Sequence, residues 1–177
     1  MGLFGGKKES YRDRKSLVIY FSRADENYAV GYIDKGNTEI IAEYIRDVAD
    51  ADLFKVEGVQ GYAADYNTCI QEAKERQKND ERPELKAYLD DISEYEIIYI
   101  GSPIYWGTMP QELFSQLERL DFSGKIVRIF TTHEGSGLAN VPNDVKKLCQ
   151  GAIVLDDGLA IRGASVGCAR NIVENWI

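Results

Sequence analysis

The chain has 177 residues, a natural length for one domain that buries a core of its own. Its residues are 44% apolar and 28% charged, proportions that are typical of a globular protein. The formal net charge of -8 speaks against nucleic acid as a ligand, because phosphates attract basic surfaces, and it favours docking partners with basic faces.

The chain begins with residues 1–16, which carry glycines and basic side chains but neither a long apolar stretch nor a cleavage site. They therefore do not predict a secretory signal. Gly6 stands where an N-myristoylation signal requires Ser or Thr, so that signal is not predicted either. We expect a mobile tail over 1–16, followed by a single domain over 17–177.

Hydropathy and cysteine usage indicate the compartment in which the protein works. No apolar run is long enough to cross a bilayer, so no membrane contact is predicted. The cysteines are odd in number and widely scattered, which argues against a disulfide framework and a zinc site; they are Cys69, Cys149 and Cys168. The sequence thus predicts a protein of the reducing cytoplasm.

Short β-rich apolar runs alternate with longer segments in which apolar residues recur at helical spacing. The expected strands cover 17–21, 53–56, 97–100, 126–131 and 153–155. The expected helices cover 38–49, 66–77, 108–120, 141–149 and 166–176. The third helix opens with Thr108 and, three residues later, Gln111, the pattern of a capping box. This order predicts an α/β fold, a doubly wound parallel sheet of five strands with helices on both faces and a ligand beyond the strands' carboxyl ends.

The loop between the first strand and the first helix ends in Gly36, Asn37 and Thr38. A helix that begins at Thr38 offers unpaired backbone amides and the positive end of its dipole, both suited to holding a phosphate. Gly36 allows close approach of the backbone, Ser22 can add a donor, and Arg23 can add charge if it turns inward. The alternative is an ordinary strand-to-helix turn capped by Asn37 or Thr38. The loop lacks the Lys of a P-loop and the spaced glycines of a dinucleotide fingerprint, so a monophosphate suits it better than ATP or NAD.

The loop after the third strand, "GSPIYWGTMP", carries two large aromatic residues that neither strand nor helix spacing explains. Its central residues are Pro103, Ile104, Tyr105, Trp106 and Gly107. Aromatic faces stack on conjugated rings, which contributes about 0.5 to 1.5 kcal/mol beyond burial. The loop therefore predicts the binding of a flat ring. The alternative is that both aromatic side chains pack on the edge of the sheet or on the proline that follows.

The loop after the fourth strand, "TTHEGSG", is rich in glycine and hydroxyl groups. Gly135 and Gly137 expose backbone amides and carbonyls that can meet the polar rim of a heterocycle. Thr132 and Ser136 add hydroxyl groups to the same rim. Together with the two earlier loops, this loop indicates one flat heterocycle that carries a single phosphate.

His133, within this loop, is the only histidine in the chain. One histidine beside Glu134 has no metal-ligand spacing, so no metal is predicted. Ser22 and Ser102 lie in no nucleophile elbow, and no Ser/His/Asp arrangement is present. A surface or hydrogen-bonding role is expected for His133, with proton donation to a reduced cofactor as the alternative.

These loops resemble those of the flavodoxin-like family, and the similarity runs over most of the chain from about Leu17 onward. The stretches that carry it are "YFSRADENY" with "GNTE", "IIYIGSPIYWGTMP" and "FTTHEGSG". The second stretch is most similar to the branch whose loop reads P-I-x-W-G-T-M-P. The resemblance implies a sheet with the strand order 2-1-3-4-5 that binds FMN without covalent attachment.

The resemblance also implies roles for particular residues. The phosphate would be held at Ser22, Arg23, Gly36, Asn37 and Thr38. The isoalloxazine would be lined by 103–107, with Tyr105 or Trp106 against a face, and its pyrimidine edge would meet Thr132, His133, Glu134, Gly135, Ser136 and Gly137. One departure is that 24–35 intervene before Gly36 where the family has a compact loop, so Asn27 and Tyr28 become possible contacts and Arg23 the least secure one.

Bound FMN would perform the redox chemistry itself, so no side chain need act as a catalytic acid or base. Because the second and third loops contain no Lys or Arg, we expect a low reduction potential. The resemblance favours an electron carrier between redox proteins with basic docking faces. The long insertion leaves room for an FMN-dependent enzyme that takes hydride from NAD(P)H and reduces a quinone or another small acceptor. A third interpretation is an interaction module that has lost its cofactor. The presence of all three loops argues against it.

Overall fold

The computed structural model describes residues 11–177, which form one layered α/β fold. The strands are β1 Ser16–Tyr20, β2 Asp25–Asn27, β3 Gly31–Ile33, β4 Asp52–Lys55, β5 Ile97–Pro103, β6 Ile126–His133, β7 Ile153–Val154 and β8 Leu159–Arg162. The helices are α1 Asn37–Ala49, α2 Tyr66–Lys78, α3 Gln111–Leu117, α4 Val141–Leu148 and α5 Arg170–Trp176, with a 3-10 helix at Gly163–Cys168.

A parallel sheet in the order β4-β1-β5-β6-β7 forms the centre of the fold. This is the order 2-1-3-4-5 of the main strands, so the predicted doubly wound arrangement is confirmed. Every residue of β1 is buried, and so is every residue of β5 from Ile97 to Ser102. This burial explains the continuous apolar runs of these central strands. The carboxyl ends of β1, β5 and β6 therefore meet at one edge of the sheet.

The helices cover the two faces of this sheet. On one face, Ile19 and Ile100 pack against α3 and α4. On the other, Val18 and Tyr99 pack against α1 and α5. Neighbouring residues of a strand point to opposite faces, so each central strand contributes to both cores.

The last strand is interrupted, which the sequence pattern did not reveal. β7 pairs with the beginning of β6 and β8 pairs with its end, so both continue the sheet in parallel along the same edge. The break contains Asp157, whose carboxylate accepts a hydrogen bond of 2.6 Å from the guanidinium of Arg128. Arg128 lies in the middle of β6 and is only 1% exposed, so the break supplies a counter-ion for a buried charge.

Two expected helices differ in detail from the prediction. The closing helix, expected over 166–176, is a 3-10 helix over Gly163–Cys168 followed by the shorter α5. The capping box at Thr108 is wrong, because α3 begins at Gln111 with Pro110 as its N-cap and no side-chain cap. The hydroxyl of Thr108 instead donates a hydrogen bond to Asp144 in α4. The side-chain amide of Gln111 donates a hydrogen bond to the backbone carbonyl of Glu81.

The predicted tail over 1–16 falls partly outside the described residues, which begin at 11. Its last residues have defined contacts. Ser16 is the first residue of β1 and is buried, and the carbonyl of Lys15 accepts a hydrogen bond of 2.9 Å from the amide of Glu96. Lys15 and Ser16 are therefore part of the folded chain. Within 11–177, no helix combines the length and the apolar character that spanning a bilayer requires.

Candidate functional site

A cavity of about 320 Å³ lies at the carboxyl ends of β1, β5 and β6. Its wall has two parts. One part, the loop wall, comes from the loops that follow these strands and from the start of α1: Arg23, Asn37, Thr38, Pro103, Ile104, Tyr105, Trp106, Thr132, His133, Glu134 and Ser136. The other part, the hairpin wall, comes from the insertion before Gly36 and from α2: Asn27, Tyr28, Val30, Tyr66, Cys69, Ile70 and Ala73.

The amino end of α1 opens into this cavity. Its N-cap is Gly36, which provides no side-chain cap, so the alternative of a turn capped by Asn37 or Thr38 is wrong. The amides of Asn37 and Thr38 stand in the first turn, where the helix offers no acceptor for them. Ser22 does not line the cavity, because its hydroxyl accepts a hydrogen bond of 3.0 Å from the amide of Glu39. The helix end thus presents donors that suit an anion.

Gly36 is required by the close packing of the chain before the helix. A Cβ at this position would lie 2.1 Å from the hydroxyl oxygen of Ser22 and 2.7 Å from the carbonyl oxygen of Arg23. Both distances are far below van der Waals contact, so any larger residue would push the loop away from the helix. Gly36 therefore acts by allowing this approach, and it does not itself line the cavity.

Thr38 and Thr132 join the first and third loops. Their hydroxyl oxygens are 2.8 Å apart, and both residues are buried. The hydrogen bond links residues that are widely separated in the sequence, at the point where α1 passes the end of β6. It fixes the spacing between the anion-attracting helix end and the glycine-rich loop.

Arg23 is turned mainly toward the insertion. Its guanidinium donates hydrogen bonds of 2.6 Å to the carbonyl of Glu26 and 2.8 Å to the carbonyl of Ala64. It thereby ties the antiparallel hairpin of β2 and β3 to the segment before α2. The Nε of Arg23 is buried and has no hydrogen-bond partner among the described residues, although the side chain lines the cavity. The guanidinium thus contributes positive charge at the cavity rather than a free donor.

The two aromatic residues of the second loop have different surroundings. Tyr105 packs edge-on against Phe21 and Tyr62, with ring centroids 5.8 and 5.5 Å apart. Burial raises the pKa of the Tyr105 hydroxyl well above its ordinary value, and this hydroxyl is buried without a partner among the described residues. Trp106 is 47% exposed at the rim of the cavity. Trp106 therefore has the ring that is free to stack, while Tyr105 supports the loop from below.

Trp106 is held against α2 by its backbone and its indole. The indole N–H donates a hydrogen bond of 2.8 Å to the carbonyl of Ile70, and Gln77 donates one of 3.2 Å to the carbonyl of Trp106. The ammonium of Lys74 lies 5.0 Å from the centre of the ring. Trp106 adopts a left-handed φ of 49° and is followed by Gly107 at 83°. The loop wall and the hairpin wall therefore meet at this residue.

His133 lies in the third loop with its ring orientation fixed. Its Nδ1 accepts a hydrogen bond of 2.9 Å from the amide of Gly135, which leaves the proton of the neutral ring on Nε2. Burial and, next, the charge of Arg162 lower the pKa of His133 below its ordinary value of 6.5, while Glu134 raises it. A neutral donor at the cavity is the result. No group of three metal-ligating side chains occurs in the described part of the chain.

Arg162 was not expected near the site. It lies beside His133 because β8 pairs with the end of β6, with His133 and Arg162 as partners in the register. Arg162 is exposed and forms no ion pair within residues 11–177. A cation therefore stands next to the third loop, although that loop itself contains none.

The structure assembles most of the predicted site residues around one cavity. Five of them do not line it and act through the backbone or through neighbours: Ser22, Gly36, Gly107, Gly135 and Gly137. Thr131 donates a hydrogen bond of 2.9 Å to the carbonyl of Gly137, which closes the third loop. The contacts on α2 were missed. They come from Tyr66, Cys69, Ile70 and Ala73, and helical spacing predicts one side of a helix without distinguishing a cavity wall from a core-facing side.

The hairpin wall depends on a buried ion pair behind α2. Arg76 of α2 donates a hydrogen bond to the carboxylate of Glu112 in α3, and Glu112 is 1% exposed. The hydroxyl of Tyr62 donates a hydrogen bond of 3.0 Å to the same carboxylate. Burial raises the pKa of Glu112 despite these partners. The pair anchors α2 at the distance from α3 that forms the cavity.

The chemistry of this cavity fits a phosphorylated flat ring. The uncapped start of α1 supplies donors for a phosphate, and the guanidinium of Arg23 adds positive charge at the cavity. The exposed face of Trp106 supplies a stacking surface, and the third loop supplies backbone groups and the Nε2 donor of His133. The donor set contains no Lys that would accompany a triphosphate.

Comparison with known proteins decides the family. The family model described as Flavodoxin matches residues 15–177. The chain belongs to the flavodoxin family. The match does not single out the branch with the P-I-x-W-G-T-M-P loop, which stays a prediction. A comparison with curated proteins found no match.

Solved structures share the fold. A candidate flavoprotein from Bacteroides uniformis is 25% identical, with a TM-score of 0.73 over 93% of this chain and 97% of that one. A flavoprotein from Lactobacillus acidophilus NCFM, solved in complex with FMN, is 25% identical, with a TM-score of 0.60 over 87% and 97% of the two chains. Oxidised Flavodoxin 2 from Bacillus cereus is 22% identical, with a TM-score of 0.51 over 92% and 97%, and shows the fold alone.

Proposed function

We propose that this flavodoxin binds FMN without a covalent bond and carries electrons between redox proteins of the cytoplasm at low potential. The observation that carries the proposal is the shared cavity. The uncapped start of α1 opens into the space that is also lined by Trp106 and the glycine-rich third loop. The FMN in the solved relative from Lactobacillus acidophilus supports the same cofactor here.

In this proposal the chain binds and orients the cofactor. The amides of Asn37 and Thr38 would hold the phosphate, and the charge of Arg23 would attract it. Trp106, Thr132, His133 and Ser136 would hold the ring, with His133 presenting its Nε2 proton. Bound FMN supplies the electron-transfer chemistry, and the protein contributes orientation and electrostatics.

The size of the cavity favours the carrier over an enzyme. Its volume of about 320 Å³ is at the lower end for sites that hold a small molecule. A space of this size suits one small ligand, and a carrier needs room for the cofactor alone whereas the enzyme needs room for a second molecule. The net charge of -8 agrees with partners that have basic docking faces.

A low reduction potential is supported by the charges at the cavity. Glu134 is the acidic residue among the described residues that line it, and a carboxylate opposes the negative charge of a reduced ring. Arg162 acts in the opposite direction from outside the third loop. We therefore expect the reduction potential of the bound cofactor to lie below that of free FMN. The positive charge of Arg162 limits this decrease. A redox titration that gives a value above free FMN would contradict this expectation.

An FMN-dependent oxidoreductase that uses NAD(P)H is the second candidate. The aromatic hairpin wall favours it, because Tyr28 and Tyr66 lie with ring centroids 5.9 Å apart and line the cavity. Flat acceptors stack on such rings. This function requires the hairpin of β2 and β3 to move and admit a second molecule.

Two measurements test these functions in order. The visible spectrum of protein purified without added flavin, with the released chromophore identified, tests FMN binding. Colourless protein that takes up no FMN would refute both candidates. The protein is then mixed with NADPH and a quinone, and absorbance at the nicotinamide band is followed. We expect no sustained turnover without a partner reductase, whereas rapid multiple turnover would overturn the carrier proposal in favour of the enzyme.

A further inference from the structure

The carboxylate of Glu134 lies beside the amino end of α1. Glu134 belongs to the loop after β6, but its side chain reaches back across the end of the sheet. A Cβ added at Gly163 would lie 2.0 Å from Oε1 of Glu134 and 2.6 Å from Nδ2 of Asn37. The carboxylate and the amide therefore converge on the same point, next to the first residue of α1.

The cation that stands next to the loop of this carboxylate, Arg162, is exposed and forms no ion pair with it. Glu134 forms no ion pair among the residues from 11 onward, and it is half-buried. The acidic residue of the first turn of α1, Glu39, is directed elsewhere, because its carboxylate accepts a hydrogen bond of 2.8 Å from Lys55. Arg23, which also lines the cavity, uses its Nη atoms on backbone carbonyls of the insertion and of the segment before α2. The negative charge of Glu134 is thus directed at the helix end.

A carboxylate in this position acts on any second anion there. The positive end of a helix dipole attracts negative charge from side chains and phosphates alike. Two anions that share one helix end repel each other, and the repulsion is stronger in a partly buried site than in water. A ligand without phosphate does not experience this repulsion.

We propose that Glu134 is a specificity-determining residue whose carboxylate opposes the phosphate of FMN, and so limits the preference of the cavity for FMN over riboflavin. This inference rests on the proposed function. It also gives Glu134 a role that its place in the third loop did not predict, because that loop was expected to contact the ring.

The test compares two flavins on two proteins. FMN and riboflavin are titrated into wild-type protein and Glu134→Gln, and binding is followed by quenching of flavin fluorescence. We expect Glu134→Gln to bind FMN about tenfold more tightly and riboflavin with unchanged affinity, since removal of one charge from the helix end affects only the phosphate. The control, Glu174→Gln, removes an exposed carboxylate of α5 that does not line the cavity, and it should leave the ratio of affinities as in the wild type.

Other outcomes overturn the inference. Unchanged FMN affinity would show that the carboxylate does not act on the phosphate. Equal weakening of both flavins would show that Glu134 binds a group that they share. If wild-type protein binds neither flavin, the proposed function fails, and the inference is then decided by inorganic phosphate. A larger rise of Tm with phosphate for Glu134→Gln than for the wild type supports it, and equal shifts, including none, refute it.

Discussion

The two walls of the cavity are built in different ways. The loop wall follows the ends of three neighbouring parallel strands, which meet at one edge of the sheet wherever the strand order is doubly wound. The hairpin wall has no such origin. It is placed by single contacts, such as the bonds of Arg23 to two backbone carbonyls and the ion pair of Arg76 with Glu112. One wall is a consequence of topology, and the other depends on particular side chains.

The largest effect is expected where the hairpin wall is anchored. Glu112→Ala leaves the guanidinium of Arg76 buried without its partner, and also removes the acceptor of Tyr62. We expect the free energy of unfolding to fall by about 3 to 5 kcal/mol, measured by urea denaturation. The control is Glu118→Ala, which breaks a more exposed pair with Arg82 at the end of the same helix and should cost less than about 1 kcal/mol. Equal losses would show that the buried pair is not an anchor.

The loop wall is tested at Gly36. A methyl group there would collide with the hydroxyl of Ser22 and with the backbone of Arg23. Because the loop must then move away from α1, Gly36→Ala should weaken FMN binding at least tenfold, or about 1.4 kcal/mol. Flavin fluorescence gives the affinity. Gly61→Ala is the matched control, since a Cβ at Gly61 meets nothing within 4 Å. Similar FMN affinities for the two variants would show that the close approach at Gly36 does not shape the cofactor site.

Trp106, where the two walls meet, should give a smaller effect. Trp106→Ala removes the exposed stacking face and the hydrogen bond to Ile70. Loss of stacking predicts weaker FMN binding by about 0.5 to 1.5 kcal/mol. Tyr32→Ala removes a more exposed aromatic residue of the hairpin that does not line the cavity, and should bind FMN as the wild type does. An unchanged affinity for Trp106→Ala would assign the ring contact to another residue.

The smallest effect is spectroscopic and concerns the outer side of the loop wall. His133 is the only histidine, so its imidazole gives one isolated NMR titration. Its midpoint should lie below 6.5, move up in Arg162→Gln and move down in Glu134→Gln, because the first charge lowers the pKa and the second raises it. Arg119→Gln, which breaks an exposed pair with Asp90, should leave the midpoint unchanged. A midpoint that does not change in Arg162→Gln would show that the charge on β8 does not act on His133.

The same pKa has a consequence for stability. Folding lowers the pKa of His133, so the unfolded chain binds this proton more tightly than the folded one. The contribution of the neutral ring to the free energy of unfolding is complete above pH 6.5. It is lost as the pH falls through the pKa of His133 in the folded protein. His133→Gln should therefore flatten the acid side of the stability curve in this range.

The sequence by itself determined the alternation of strands and helices and the loop wall, whereas the strand order was implied by the family resemblance. Continuous apolar runs show which strands are buried on both faces, and glycine-rich or aromatic loops after them show where a ligand lies. Only the tertiary structure decided that Tyr105 supports while Trp106 is exposed, that β8 brings Arg162 to His133, and that α2 lines the cavity. The physical reason is that periodicity reports burial, whereas these features depend on which distant segment supplies the neighbour.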